Sequence, residues 1–272
     1  MASPAQGPDT AVPYTALILA GRRGSDDPLA AATGAPHRAL LDVAGTPMLA
    51  RVVSALEACD RVSGLTVSID ARELLAGVPE LAARLDTGRL SVLDSESSPS
   101  RSVLAALDGL EPGRRLLVTT ADHALLDAEM VTHFLDAADR ANPDVAVGLV
   151  SASRLRARFP ESKRTYLPFR GERYSGANLF AFRTARARRA AEFWTRAEAF
   201  RKRPLRLVST FGIRALVLFA LRRLDLDAAL EHASGVIGAR VVAVDMPFAE
   251  AAIDVDRVAD LELVNRILRE RG

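Results

Sequence analysis

The sequence has a single cysteine, Cys59, among its 272 residues. One cysteine cannot form an intramolecular disulfide, which excludes a small disulfide-stapled fold and indicates a reducing compartment. Cys59 follows the apolar residues Val52, Val53, Ala55 and Leu56. Because a free cysteine behaves as a small hydrophobic side chain, this pattern predicts a position in the core.

Long hydrophobic runs are also lacking. The longest apolar block, residues 215–221 between Arg214 and Arg222, is far shorter than the roughly 20 residues that cross a bilayer. Residues 1–14 contain no lysine, no arginine and no long apolar run, so they lack both parts of a secretory signal. We therefore expect a disordered tail over residues 1–14 and a cytoplasmic protein.

Lysine is scarce, because only Lys163 and Lys202 occur among 36 basic residues. The net charge is +2, yet residues 183–223 carry twelve basic residues against Glu192 and Glu198, which gives this segment +10 and leaves −8 elsewhere. Two interpretations are open: a solvated, arginine-rich helical face, or peripheral contact with an anionic membrane. Nucleic acid is not predicted, because no aromatic residues alternate with the basic ones.

Strand and helix patterns alternate through the first half of the chain. The predicted strands are 15–20, 64–69, 90–93, 115–120 and 144–150, and the predicted helices are 46–58, 79–85, 101–110 and 127–140. This alternation predicts an α/β fold that is Rossmann-like, with a mostly parallel sheet flanked by helices. With 49% hydrophobic residues, the length suits a single domain over residues 15–272.

The second half begins with a basic region over residues 154–173, for which we expect loops or an antiparallel insertion. The later predicted elements are strands at 177–182 and 239–244 and helices at 184–202, 205–222, 225–233 and 256–270. The C-terminal half therefore contains a basic helical insertion before its last strand and helix.

The first predicted strand, residues 16–20, runs into the loop Gly21-Arg22-Arg23-Gly24. Glycines allow backbone N–H groups to approach an anion closely, and arginines add charge-assisted hydrogen bonds to phosphate oxygens. A bare Gly-x-x-Gly is also typical of an ordinary turn, so this loop needs the rest of the chain to support a phosphate site.

Three aspartates are candidate ligands for Mg²⁺. Asp122 follows a buried-type strand at 116–120, and ligands of open α/β sheets bind beyond the carboxyl ends of strands. Asp254 and Asp256 alternate with apolar residues, which presents both on one side of an extended segment. Mg²⁺ commonly takes one or two carboxylates together with phosphates and water. The alternative role of each is a helix N-cap, although Asp127 is available for the helix after Asp122.

Four motifs follow one another along the chain: L-I-L-A-G-x-x-G, R-A-L-L-D-V-A-G-T-P-M-L, T-T-A-D and I-D-V-D. Their order resembles the MobA-like nucleotidyltransferases, a family of the glycosyltransferase-A-like (GT-A-like) α/β superfamily. The resemblance covers about residues 15–150 and 239–270. It implies an NTP-binding half over 15–150, an acceptor-binding part with the helical insertion over 151–238, and a closing strand and helix over 239–272.

The resemblance implies a Mg²⁺-dependent enzyme that couples an NTP to a phosphorylated acceptor and releases pyrophosphate. Two other functions stay open: a glycosyltransferase of the same fold that uses a nucleotide-sugar, and a non-catalytic nucleotide-binding sensor. Glycosyltransferases of this fold usually carry a D-x-D motif, whereas this chain has Ala121-Asp122-His123. Neither the NTP nor the acceptor follows from the sequence.

The resemblance also implies roles for single residues. The catalytic residues would be Arg22, Arg23, Arg38 and Asp122, and the NTP-binding residues Ala20, Gly21, Gly24 and Ser102. The metal ligands would be Asp122 with Asp256, which aligns best, or Asp254 as the alternative. The acceptor would meet Lys163, Arg164, Arg170, Ser175, Gly176 and Asn178.

Two of these positions carry open questions. Arg38 stands where the family usually has lysine; an arginine keeps the charge and can bind phosphate through two hydrogen bonds, but it is bulkier. Ser102 lies in a serine-rich segment before a helix, which is explained equally well as a turn and cap. The four histidines have no metal-ligand spacing and are interpreted as structural or solvated.

Overall fold

The computed structural model describes residues 12–22, 27–200, 217, 218, 221 and 223–271. Residues 1–11 of the predicted tail, most of the predicted helix 205–222, and Arg23 and Gly24 of the predicted phosphate loop lie outside these residues.

A mixed, mostly parallel sheet organises the described chain. Its strands are β1 (Tyr14–Leu19), β4 (Val62–Ile69), β5 (Leu90–Asp94), β6 (Arg115–Thr120), β7 (Val145–Ser151), β8 (Leu167–Pro168), β9 (Arg173–Phe182) and β10 (Val241–Asp245). Along the sheet the order is β10-β7-β9-β6-β1-β4-β5, and β8 pairs with β9. Strand β9 runs antiparallel to its neighbours, whereas the other pairs along this path are parallel. A two-stranded ribbon joins β2 (Asp42–Val43) to β3 (Thr46–Pro47).

Helices cover both faces of the sheet. They are α1 (Pro28–Thr33), α2 (Met48–Glu57), α3 (Pro79–Asp86), α4 (Pro99–Asp108), α5 (Ala128–Ala141), α6 (Ala152–Arg158), α7 (Arg188–Phe200), α8 (Leu226–Ile237) and α9 (Val258–Arg271). In β1, Ala16 and Ile18 pack into the core on one face and Leu17 into the core on the other. The predicted α/β fold is therefore confirmed.

Helix α5 shows how the sequence fixes one element. The buried residues Met130, Val131, Phe134, Leu135 and Ala138 fall on one helical face. The Asp127 carboxylate accepts a hydrogen bond of 2.9 Å from the Met130 N–H and caps the first turn. The N-cap of this helix is therefore Asp127 and not Asp122, for which the sequence allowed that role as an alternative.

Several boundaries differ from the expectation, and two of them concern strands of the sheet. Strand β1 begins at Tyr14, which is fully buried and donates a 2.9 Å hydrogen bond to Asp139, so the structured domain begins before residue 15. Strand β9 begins at Arg173 rather than at 177. The basic region 154–173 contributes most of helix α6 and the antiparallel strand β8.

The parallel registers bring the carboxyl ends of four strands to one edge. Leu19 of β1 pairs with Thr120 of β6 and with Ser68 of β4, and Ile69 pairs with Asp94 of β5. The residues that follow these strands therefore meet at this edge, as the alternating pattern predicts. At Gly21 the approach is so close that a Cβ would lie 2.9 Å from the Ser95 Cβ, which explains the glycine.

Candidate active site

Three aspartates converge at the carboxyl edge of the sheet. Asp122, Asp254 and Asp256 each offer a carboxylate oxygen, and these oxygens lie within 4.8 Å of one another. Hard oxygen ligands at this spacing are what Mg²⁺ takes in proteins. The structure brings together all three metal-ligand candidates.

One backbone hydrogen bond connects the two segments that carry these aspartates. The Val255 N–H donates to the Asp122 carbonyl over 3.0 Å. Ile253 and Val255 are fully buried, whereas Asp254 and Asp256 on either side of Val255 keep some exposure. The alternating pattern thus anchors its apolar side chains in the core and leaves its acidic ones at the edge.

Arg38 lies among the aspartates. Its Nη2 atom donates to Asp122 Oδ2 over 3.3 Å and to the Val255 carbonyl over 2.7 Å, and it also binds Asp256 Oδ1. Its Nη1 atom is 3.8 Å from Asp27. Burial lowers the pKa of Arg38, but the hydrogen bond to Asp256 and the three negative charges outweigh it and raise the pKa above its usual value.

Arg164 contacts the cluster from the interior of the protein. Its side chain is only 6% exposed, binds the Asp254 carboxylate and donates 3.0 Å to Asp260, which is itself buried. Burial, followed by the negative charges of Asp122 and Asp256, raises the pKa of Asp254 to about 6, although Arg164 opposes the shift. The guanidinium implied as an acceptor contact is therefore engaged with carboxylates in the interior.

A β-bulge places Asn178 against the cluster. Between the pairs Leu149–Gly176 and Val147–Phe180, the single residue Gly148 faces three residues of β9. Asn178 takes a left-handed conformation there, with φ 49°, and its Nδ2 lies 3.4 Å from Asp254 Oδ2. Bulges next to sites commonly re-aim a side chain in this way.

Asp70 and His37 anchor the start of the glycine loop, and sequence reasoning missed both as site residues. Asp70 accepts hydrogen bonds from the Arg22 N–H at 3.1 Å and from His37 Nε2 at 3.2 Å, and pairs with the Arg22 guanidinium at 3.3 Å. His37 Nδ1 accepts from the Ala39 N–H, so Nε2 is the nitrogen that carries the proton. The position of Asp70 directly after β4, at the edge where ligands bind in such sheets, was a signal in the sequence that could have identified it.

The pKa of Asp70 reflects these contacts. Its partial burial opposes ionisation, but the hydrogen bonds from His37 and from the Arg22 backbone hold its pKa below the usual value. A stable carboxylate therefore joins the glycine loop to the short helical turn Arg38–Leu40 that carries Arg38.

Ser102 is 2% exposed, and its hydroxyl accepts a 2.9 Å hydrogen bond from the Glu96 N–H. It shapes the loop beside Gly21, and its NTP-binding role stays a prediction. Ala20 is buried in the same edge, and Gly21 and Arg22 are exposed there.

The other predicted acceptor residues are spread along the insertion. Lys163 is exposed, and Arg170 pairs on the surface with Asp225 over 2.8 Å. Ser175 is buried, whereas Gly176 is exposed and open space lies where its Cβ would stand. The structure brings Arg164 and Asn178 to the aspartates and places Arg170 in a surface ion pair.

His123 follows Asp122 and is 1% exposed. Among the described residues, neither of its ring nitrogens has a hydrogen-bond partner. Burial lowers its pKa to about 4, so the ring is neutral at pH 7. This agrees with its interpretation as a structural histidine.

Comparison with known families gives a match to the MobA-like NTP transferase domain over residues 16–208. The chain belongs to this family. It is thus an enzyme of the nucleotidyltransferase class, as the four motifs imply. The family match ends before Asp254 and Asp256, and it is the fold that joins them to Asp122.

Three solved structures have a similar fold. A hypothetical transferase from Thermus thermophilus is 29% identical, with a TM-score of 0.75, and covers 92% of this chain and 100% of its own. A CMP:2-keto-3-deoxy-manno-octonic acid synthetase complexed with CTP is 17% identical, with a TM-score of 0.59 and coverages of 96% and 100%.

A third similar structure is 4-diphosphocytidyl-2C-methyl-D-erythritol synthase from Anaerococcus prevotii, at 12% identity, a TM-score of 0.56 and coverages of 95% and 99%. These last two matches show the shared fold. No curated protein matches the chain in a sequence comparison. Within the described residues, none of the helices has the length and apolar character needed to cross a membrane.

Proposed function

We propose that this member of the family transfers a nucleotidyl group from an NTP to a phosphorylated small-molecule acceptor. The observation that carries the proposal is the meeting of Asp122, Asp254 and Asp256 at the sheet edge that also holds Gly21 and Arg38. Acidic ligands for a metal and basic groups for phosphates are thereby placed side by side.

The proposed reaction is an in-line displacement. An oxygen of the acceptor phosphate attacks the α-phosphorus, the bond from that phosphorus to the bridging oxygen breaks, and pyrophosphate leaves with the electron pair. An acceptor phosphate is already ionised at neutral pH, so no general base is required. The protein therefore contributes positioning and charge neutralisation.

The aspartates suit Mg²⁺ because they offer several carboxylate oxygens close together. Bound there, Mg²⁺ would supply charge neutralisation and alignment of the phosphates. Arg22 and Arg38 bring positive charge to the same edge, where they would bind the departing pyrophosphate. Arg23, which follows Arg22 in the sequence, keeps the role that the resemblance implies.

The acceptor is proposed to lie over β9. Gly176 leaves open space on this strand, and the bulge turns Asn178 toward Asp254. Lys163 is an exposed basic residue of the insertion, whereas Arg170 is engaged in a surface pair with Asp225. These features support a phosphorylated acceptor that approaches the aspartates from the side of β9.

Two measurements test the proposal. Thermal shifts with each of the four NTPs and Mg²⁺ identify the nucleotide, since a ligand at 100 times its Kd adds about 2.7 kcal/mol of stability. CTP is tested first, because a similar structure is described with CTP. Pyrophosphate release is then measured with sugar phosphates and polyol phosphates, with the unphosphorylated sugars and polyols as matched controls.

Asp122→Asn is the decisive variant. The amide has nearly the same shape but lacks the charge that a metal needs, so pyrophosphate release should fall about a hundredfold or more while the melting temperature changes little. Asp127→Asn is the control, because Asp127 caps α5. Wild-type release by Asp122→Asn, or release from unphosphorylated acceptors alone, would overturn the proposal.

A further inference from the structure

Arg38 makes contacts that a phosphate-binding residue does not need. A single nitrogen, Nη2, binds both Asp122 and Asp256, which are two of the three candidate metal ligands. The same nitrogen also donates to the Val255 carbonyl at 2.7 Å, between the two carboxylates. The guanidinium is therefore seated inside the acidic cluster rather than beside it.

The cluster holds two cations of different character. Arg164 is 6% exposed and is fixed between Asp254 and the buried Asp260. Arg38 is 20% exposed and belongs to the three-residue turn Arg38–Leu40 at the site edge. Arg164 is thus part of the interior, whereas the Arg38 side chain can leave without opening the core.

We propose that Arg38 is a built-in counter-ion of Asp122 and Asp256 that a divalent cation must displace. The inference rests on the proposed function, because that function gives these aspartates a metal to bind. Two positive charges at the same pair of carboxylates repel each other and compete for the same oxygens. The triphosphate of a bound NTP offers the displaced guanidinium a new anionic partner, which it can hold through two hydrogen bonds.

The proposal has a consequence for metal binding without nucleotide. Removing the Arg38 charge should strengthen the binding of a divalent cation, even though the same charge is proposed to bind phosphate once an NTP is present. A residue that merely organised the three carboxylates would have the opposite effect. The sign of the change therefore separates a competitor from a supporting residue.

The test uses Mn²⁺ and no nucleotide. Free Mn²⁺ is measured by electron paramagnetic resonance in titrations of the wild type, Arg38→Gln, Arg22→Gln and Arg84→Gln. We expect Arg38→Gln to bind Mn²⁺ at least tenfold more tightly than the wild type. Arg22, which pairs with Asp70 at the same edge, controls for a nearby charge, and we expect a change below threefold. Arg84, also 20% exposed and paired with Glu57, should bind Mn²⁺ like the wild type.

A second variant and a second readout keep the test decisive. Arg38→Lys retains the charge but forms fewer hydrogen bonds, so its affinity for Mn²⁺ should lie between those of the wild type and Arg38→Gln. It replaces Arg38→Gln in the test if that variant fails to fold. Mn²⁺ should also raise the melting temperature more in Arg38→Gln than in the wild type. Equal or weaker Mn²⁺ binding by both Arg38 variants would overturn the proposal.

Failure of the proposed function would look different. In that case the wild type would neither gain stability from any NTP with Mg²⁺ nor release pyrophosphate. The Mn²⁺ titrations contain no nucleotide, so they decide the role of Arg38 in either case.

Discussion

Asp70 makes two contacts to Arg22 in the glycine loop and one to His37, which precedes the turn that carries Arg38. We expect Asp70→Ala to weaken the binding of NTP about tenfold, because the loop backbone loses its anchor. Isothermal titration with Mg²⁺ and NTP measures the change. Asp94→Ala is the matched control, since Asp94 ends the neighbouring strand with an 80% exposed side chain.

The tautomer of His37 gives a readout beyond affinity. In the wild type the nitrogen-15 spectrum should show a protonated Nε2, and Asp70→Ala should shift this resonance because the acceptor is lost. Equal loss of affinity in Asp70→Ala and Asp94→Ala, with an unchanged His37 spectrum, would contradict the anchoring role.

His123 should make the fold sensitive to acid. Its pKa is lowered to about 4 in the fold, against about 6.5 in an unfolded chain. Between these values the unfolded state binds the extra proton, so His123 stabilises the fold fully above pH 6.5. This contribution is lost as the pH falls toward 4, by at most about 1.4 kcal/mol per pH unit.

The comparison with a variant isolates this contribution. Asp254 titrates in the opposite sense over the same interval, because its pKa is raised to about 6 and its contribution declines as the pH rises toward that value. Urea unfolding of the wild type and His123→Gln from pH 4.5 to 7 should therefore give a smaller acid loss in the variant. His133→Gln, at a half-buried histidine bonded to the Asp245 carbonyl, is the matched control for the loss of a histidine.

Residues of the site differ in how far the sequence predicts them. Asp122 follows from its place after a strand, because topology alone brings it to the ligand edge. The place of Arg164 cannot be predicted in this way, because a charged residue is normally exposed. Its burial depends on Asp254 and Asp260, which lie 90 and 96 residues further along the chain. The role of His37 also needed the tertiary fold, because its partner Asp70 lies 33 residues away, whereas the place of Asp70 after β4 was a signal in the sequence.

At the scale of elements, the bulge in β9 can be tested through Asn178. Its φ of 49° is tolerated by glycine and asparagine but strained for alanine. We expect Asn178→Ala to lower the free energy of unfolding by about 1 kcal/mol or more, and Asn178→Gly to cost less. Chemical denaturation of both variants measures the difference. Equal stability of the two would show that the Asn178 side chain, not its backbone, matters there.

Elements with strong apolar patterns were predicted well, and polar ones were not. Strand β6 has the predicted bounds 115–120, because a continuous buried run allows few alternatives. The first half of β9, Arg173 to Gly176, carries mainly polar or small residues, and the bulge shifts its register with β7 relative to that of the second half. A register shift of this kind has no signature in local composition.

At the scale of the whole molecule, the basic segment 183–223 is partly neutralised within the protein. Arg183 is buried against Asp139, and Arg188 pairs with Asp108 and Glu192. The basic residues between 201 and 214 lie outside the described residues. The described contacts favour the interpretation as a protein face over membrane contact.

Liposome sedimentation separates these interpretations. We expect equal sedimentation with anionic and neutral liposomes at low salt, because Arg183 and Arg188 already have acidic partners within the protein. Attraction to an anionic surface would contribute about 1 kcal/mol per basic residue and would weaken with salt. Preferential sedimentation with anionic liposomes that declines as salt rises would favour the membrane interpretation.

The hydrogen bond from the Val255 N–H to the Asp122 carbonyl joins the segment that carries Asp254 and Asp256 to Asp122, which is made much earlier in the chain. A ribosome adds about 5 to 20 residues per second, so Asp256 is made roughly 7 to 27 s after Asp122. Throughout that interval the emerging chain carries Asp122 without Asp254 and Asp256. Synthesis from the amino end thus delays a complete acidic cluster until the strands that surround it have all been made.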